Sequence, residues 1–498
     1  MSDLAPVLLT AAFLTWLMSP LCAGMARRLG IVDSPDVRKR HRAATPYFGG
    51  VAVFAGIAAS LVVASGLASS DPAEAGFASL DRPLLALLSG AGVIFALGLL
   101  DDVRPVRARY KMLLQGGVAV WMWSAGIRLE SVPLIESAFS LNCSYLSLPL
   151  TVLWIVGITN AVNLIDGLDG LAAGIGAIAA AAIAYVAFQS QQQAVGLVLA
   201  ALAAALVGFL VHNRHPARLF LGDAGSLLIG FLLATCAVTT TSKASDISAL
   251  GVPLLALAVP ILDLSFTVIR RLMERRGIFS PDRNHVHYRL QGIGFTHGQA
   301  VTILWAESGA LTVVALLPLW FAASPTQQAT TFVVVALAHL AFFRFAGAVR
   351  LRESIRAFRA AARRTQDARR RQREYDNLDL QFRQAHTLDT WWHALEHSAE
   401  RLGCVSVQLE LPRRTGGAVT RGWRDGERAR SVVQTTLEIP DRRSDQALRL
   451  HVGLASESLE GAAESVAVLS KLLDRYPASQ LGKDEWRGAA VGGVADPA

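Results

Sequence analysis

Asn160, Asn163, Asp166 and Asp169 recur every three residues. Residues at i and i+3 share a helix face, so this spacing aligns hard oxygen donors, the kind that hold Mg²⁺ or Mn²⁺. Gly167 and Gly170 allow the ladder to break and bend around a ligand. Polar capping of a helix end explains one such residue more readily than four in ten. Asp101 and Asp102 close an apolar run, and Lys111 follows nine residues later. Adjacent carboxylates leave a helix end in different directions, so one can face a metal or nucleophile while the other holds a basic partner. Lys111 is then a candidate phosphate ligand. Gly222-Asp223-Ala224-Gly225-Ser226 opens another apolar run. Its glycines admit a phosphate to the backbone and a helix N-terminus favours anions, but Asp223 would repel that phosphate unless a cation lay between them. Simple capping by Asp223 is the plainer alternative. The fourth cluster is Asp282-Arg283-Asn284-His285-Val286-His287-Tyr288-Arg289. His285, His287 and Arg289 alternate, so an extended segment would aim them to one side, where with Arg283 they could clamp a diphosphate. Zinc is the weaker alternative, since no cysteine and few acids lie nearby.

The elements that must position these residues are membrane spans. The chain has 498 residues, 52% hydrophobic and 17% charged, a balance foreign to soluble domains. Its apolar residues fall into eleven runs of membrane-spanning length, near 5–26, 47–68, 83–100, 111–127, 146–163, 171–188, 195–212, 220–241, 249–270, 301–321 and 328–347. The first is expected to be a retained helix, because Arg27 and Arg28 follow it and no Lys or Arg precedes it. With the N-terminus outside, the inner loops carry eighteen Lys and Arg against three in the outer loops. All four polar clusters and the C-terminus then face the cytoplasm. The net charge of +8 follows from this topology and does not point to nucleic acid. Cys22, Cys143, Cys236 and Cys404 are scattered and imply neither a metal site nor a disulfide framework.

Composition changes near residue 348. The predicted organisation is a transmembrane domain over 1–347, a basic helical linker over 348–386, a small α+β domain over 387–480 and a disordered tail over 481–498. The linker is arginine-rich and suited to anionic headgroups. Periodicity in the small domain predicts a helix, three strands and a helix. The fold class is therefore an all-α polytopic membrane protein with about eleven spans and a small cytoplasmic α+β domain.

Taken in order, the motifs resemble the polyprenyl-phosphate N-acetylhexosamine-1-phosphate transferases, glycosyltransferase family 4. The resemblance covers about residues 1–347. It rests on Asp101-Asp102 with Lys111, on Asn160 to Asp169 with Gly170-Leu171-Ala172, on Gly222 to Ser226, and on Pro281-Asp282-Arg283-Asn284-His285-Val286-His287. The inner loop from Asp33 through Arg38, Lys39 and His41 to Gly49-Gly50 also resembles the family's first cytoplasmic loop. The Pro-Asp-Arg form is similar to the bacterial undecaprenyl-phosphate N-acetylglucosamine-1-phosphate transferase branch, from which Tyr288 departs at a position usually histidine. The resemblance implies transfer of N-acetylglucosamine-1-phosphate from UDP-N-acetylglucosamine to undecaprenyl phosphate, with release of UMP, as the first membrane step of a cell-surface glycan. It implies Mg²⁺, or Mn²⁺, on Asp223 and Asn163. Asp101 is the implied base or nucleophile orienter, with Asp102 as its partner and Asp223 completing the catalytic set. Asn160, Asp166 and Asp169 would bind substrate, the last two holding the nucleoside or ordering water, while Lys111, Arg283, His285, His287 and Arg289 bind phosphates. The expected setting is the bacterial inner membrane, among membrane lipids and as a homodimer. Rivals are the same reaction with another UDP-N-acetylhexosamine, and a secondary transporter, which would need its polar groups near the midplane.

Overall fold

The computed structural model describes residues 4–33, 45–67, 81–129, 143–242, 248–274, 277, 285–321, 323–345, 351–412, 418–424, 432–439, 448–455 and 459–477. Arg283, the loop residues Arg38, Lys39 and His41, and the tail 481–498 lie outside the described residues. The chain forms two compact units, Met1–Phe358 and Arg359–Ala498.

The first unit is helical, in chain order α1 (Leu4–Arg28), α2 (Gly49–Leu67), α3 (Arg82–Val103), α4 (Ala108–Ser124), α5 (Ser147–Ile165), α6 (Leu171–Gln189), α7 (Gln193–Asn213), α8 (Gly222–Ser242), α9 (Ser248–Ala256), α10 (Ala258–Met273), α11 (Val286–Ile293), α12 (His297–Trp320) and α13 (Pro325–Phe345). A two-residue pairing joins β1 (Val32–Asp33) to β2 (Thr45–Pro46). Among the described residues, nine helices are long and apolar enough to cross a bilayer: α1, α2, α3, α5, α6, α7, α8, α12 and α13. The protein is a multi-pass membrane protein. The predicted run 111–127 falls on α4, only 17 residues long. The run 249–270 divides into α9 and α10 at Leu257. Pro260 causes that break: it has no N–H to give the Ala256 carbonyl, and its ring crowds that carbonyl.

α8 is the axis of the bundle. It is enclosed by α2, α3, α5, α6, α7 and α9, and 94% of its apolar window is buried. Glycine permits the closest approaches. A Cβ on Gly98 of α3 would lie 2.4 Å from the Asp223 carbonyl oxygen, and one on Gly50 of α2 would lie 2.2 Å from the Gly225 nitrogen. Small residues let helix backbones meet in this way. The first turn of α8 is thereby gripped by α2 and α3, which brings the carboxylates at the end of α3 beside Asp223.

The second unit packs two helices, α15 (Leu388–Arg401) and α16 (Leu459–Arg475), with four strands: β3 (Cys404–Pro412), β4 (Ala418–Arg424), β5 (Val432–Ile439) and β6 (Leu448–Ala455). A long basic helix, α14 (Leu351–Gln384), precedes α15. The strands are antiparallel in the order β4-β3-β6-β5. Trp391, Trp392, Leu395, Val407, Leu450 and Leu469 form the core. The sequence predicted three strands, and β4 is the additional one. Ala418-Val-Thr-Arg-Gly-Trp-Arg424 lies at the sheet edge and interleaves arginines with a glycine, so it lacks the alternation that marks a half-buried strand.

Candidate active site

Asp223 gathers residues from three helices. Lys111, on the first turn of α4, places its Nζ 2.9 Å from Asp223 Oδ2 and 2.5 Å from Asp101 Oδ2. The Asn163 amide, near the end of α5, donates to Asp223 Oδ1 at 2.9 Å and to Ser226 Oγ at 2.8 Å. Asp101 also accepts from the Val106 N–H at 2.5 Å, which turns the chain from α3 into α4. Asp102 does a different job. Its two oxygens accept the N–H groups of Asp223 and Ala224, at 2.7 and 3.0 Å, so it caps α8 from a neighbouring helix. Gly222, at φ +75°, makes room for this contact: a Cβ there would sit 2.6 Å from Asp102 Oδ2. The α8 N-terminus predicted to receive phosphate is thus occupied by the protein's own carboxylate.

The helical part of the oxygen ladder ends with α5 at Ile165, where the chain leaves the helix axis. Asn160 is turned to Gln115 Oε1, at 2.5 Å, and to the Val156 carbonyl. Asn163 reaches Asp223. Asp166 follows the helix end; burial, joined by the negative charges of Asp223, Asp102 and Asp169, pushes its carboxyl up to about 8. Asp169 Oδ2 accepts from His215 Nδ1 at 2.7 Å and from the Ala217 N–H at 3.1 Å. The Asp169 N–H donates to His297 Nε2 at 3.0 Å. Asn213 fastens the same loops, accepting the Gly170 N–H and donating to the Leu219 carbonyl.

The histidine motif also differs from the extended clamp expected of it. Asp263 on α10 accepts from His285 Nδ1 and from the Val286 N–H, both at 2.8 Å, which starts a helix at that point. His287 and Arg289 therefore sit on α11 instead of alternating along a strand. Arg289 lies one turn after His285. His287 is fully buried, and a Cβ on Gly167 would lie 2.7 Å from its Nε2. Burial pushes His287 down to about 4, against the opposing pull of Asp263. It is neutral at pH 7, and among the described residues neither ring nitrogen has a hydrogen-bond partner.

Comparison with known proteins decides the family. Residues 84–241 match the model of glycosyl transferase family 4. The chain is 35% identical over 303 residues to the probable undecaprenyl-phosphate N-acetylglucosaminyl 1-phosphate transferase of Bacillus subtilis, covering 60% of this chain and 81% of that protein. The chain belongs to glycosyl transferase family 4. It is also 35% identical to the decaprenyl-phosphate N-acetylglucosaminephosphotransferase of Mycobacterium tuberculosis, covering 64% of this chain and 83% of that one. The undecaprenyl-phosphate alpha-N-acetylglucosaminyl 1-phosphate transferase of Escherichia coli is 28% identical, with 64% of this chain and 84% of that one covered. The family match at residues 84–241 lies within the first unit.

For a family 4 transferase the arrangement is coherent. Asp101, Asp102, Lys111, Asn163, Asp166 and Asp223 form one neighbourhood at one end of the bundle, and Asp169, His285 and His287 border it. Asn160 supports it from inside the bundle. Its donor set suits a hard divalent cation: several carboxylates lie together with one lysine between two of them. Asp169, His215 and His297 also bring carboxylate and imidazole donor atoms within 4.8 Å of one another. Their geometry opposes a metal. The His215 and His297 rings are stacked at 4.1 Å with planes 18° apart, so no nearby point lies in both ring planes, and an N–H already occupies His297 Nε2. Gln115, Asn213, His215, Asp263 and His297 escaped the sequence reading. Asp263 carried a usable signal, since an acid inside an apolar run is a functional candidate by default. His215 lies only eight residues before Asp223, in the loop that leads into α8.

Proposed function

We propose that this transferase moves N-acetylglucosamine-1-phosphate from UDP-N-acetylglucosamine to undecaprenyl phosphate and releases UMP, at the cytoplasmic face of a bacterial inner membrane. One observation carries the reading: motifs from three separate helices meet on Asp223 with Lys111 between two carboxylates. The names of the relatives support the substrates. An oxygen of the lipid phosphate attacks the donor's β-phosphorus, and the bond from that phosphorus to the bridging oxygen breaks, so UMP leaves with the oxygen. A phosphate monoester has its second pKa near ~6, so the acceptor is largely dianionic at neutral pH and needs little help from a base. Asp101 accordingly positions Lys111 more than it removes a proton. Lys111 neutralises charge beside the attacking and transferring phosphates. Asp223 and Asn163 would hold Mg²⁺, which would screen the diphosphate charge. Arg289 supplies donors from α11, Asp263 orients the His285 ring at the start of that helix, and neutral His287 offers a hydrogen-bonding edge with no partner among the described residues.

The test is UMP release by purified, detergent-dissolved protein given both substrates, with and without Mg²⁺, beside Asp223→Ala. Metal-dependent UMP that the variant cannot make supports the reading. UMP only from another UDP-N-acetylhexosamine moves the donor assignment and directs attention to Tyr288. No UMP from any donor, with folded protein, overturns it.

A further inference from the structure

Asp169 is turned inward, onto the protein's own groups. Its side chain is 3% exposed, and Oδ2 is committed to His215 Nδ1 and the Ala217 N–H. His215 is the outward-facing member, with a side chain 46% exposed. The ring is fixed on two sides, by the Asp169 carboxylate and by the stacked ring of His297. In its neutral form a histidine held this way has its tautomer chosen for it: Nδ1 carries the proton toward the carboxylate, and the Nε2 lone pair is left pointing away from it. The exposed edge is therefore an oriented hydrogen-bond acceptor.

We propose that His215 is a substrate-contacting residue that accepts a hydrogen bond from the nucleoside of the sugar donor, through a ribose hydroxyl or the base imide N–H, and that Asp169 acts through it. Two features point to the nucleoside. The Nε2 lone pair of the neutral ring repels an unprotonated phosphate oxygen but welcomes an O–H or N–H. His215 also lies exposed in the loop between α7 and α8, outside the spanning helices, whereas the lipid phosphate is delivered by a chain in the bilayer. The contact is assigned by the geometry of the Asp169–His215–His297 stack. The inference rests on the transferase reading above.

The discriminating variant is His215→Asn. Its side-chain amide can still donate to Asp169, so the loop is kept, while the Nε2 edge is removed. The full-length protein in detergent is assayed for kcat, for KM toward UDP-N-acetylglucosamine and toward undecaprenyl phosphate, and for product inhibition by UMP. The expected result is a donor KM and a UMP inhibition constant that both rise about tenfold, with the lipid KM and kcat within about twofold of wild type. His215→Asn added to Asp169→Asn is expected to produce no further rise in donor KM. A donor KM equal to wild type in His215→Asn, a parallel rise in both substrate KMs, or an unchanged UMP constant overturns the assignment. A wild-type protein that releases UMP from no donor overturns the underlying reading instead, so the two failures are distinguishable.

Discussion

Replacing Asp102 by alanine should damage this protein mainly as a structural lesion of α8. The carboxylate accepts two backbone N–H groups at the start of the most enclosed helix in the bundle, at 2.7 and 3.0 Å. A hydrogen bond to a charged group contributes about 1.5–3 kcal/mol, and a buried donor left bare costs a similar amount. Asp102 is partly exposed, so water recovers some of this, and about 3 kcal/mol is the expected net loss. A domain of this size shifts by roughly 2 °C per kcal/mol or less, giving a fall in Tm of about 5 °C. The assay is thermal unfolding in detergent, read in parallel with UMP release. Gly222→Ala supplies an independent route to the same contact, because its Cβ would meet Asp102 Oδ2 at 2.6 Å and its φ is +75°. Part of the alanine penalty is this clash, so Asp102→Ala with Gly222→Ala should be less destabilising than the two single effects added together. An Asp102→Ala protein that loses activity at an unchanged Tm, or a strictly additive double variant, would refute the capping argument and return Asp102 to the chemistry.

Three further outcomes are expected. His287 is ordinarily at 6.5 and sits at about 4 here, so its folded form resists protonation; stability is retained above pH 6.5 and lost as pH falls toward 4, by up to about 3 kcal/mol. Comparing Tm against pH for wild type and His287→Asn isolates that dependence, which the variant should lack. Mg²⁺ at about a hundred times its dissociation constant should stabilise wild type by about 2.7 kcal/mol, and Asp223→Asn should show no such thermal shift. Lys111→Met leaves Asp101 and Asp223 facing one another without a cation, and kcat for UMP release should fall about 100-fold or more.

The membrane architecture was legible because apolar runs of spanning length announce themselves, and the polar clusters stood out against them. Pairings across helices were less legible. Periodicity says which residues share a face, but it does not say what that face meets. The ladder from Asn160 to Asp169 has helical spacing, yet the helix stops at Ile165, so its members reach Gln115, Asp223 and His215 in turn. Asp102 looks like a partner for Asp101 in sequence; only the close packing of Gly98 on α8 reveals it as a cap. The alternation of His285, His287 and Arg289 suggested a strand, and it was Asp263, 22 residues before His285, that made the segment a helix. The break at Pro260 was readable from chemistry alone, whereas the edge strand β4 carries no hydrophobic alternation to read.

The placement of the carboxylates also argues between catalysis and transport. Asp101 and Asp102 lie in the last turn of α3, Asp166 just past α5, and Asp223 in the first turn of α8. These are helix ends, where chain reversals bring several segments together at one face. A transport pathway needs its polar groups near the middle of the bundle so that both compartments can reach them. The described pair that does lie within spans, His339 and Glu307, is turned on itself at 2.6 Å and ties α13 to α12. Under the proposed reading, a site at the helix ends would be open to water for a soluble donor and to the bilayer for a lipid phosphate. That shared access is what a transfer between a soluble donor and a membrane-bound acceptor requires.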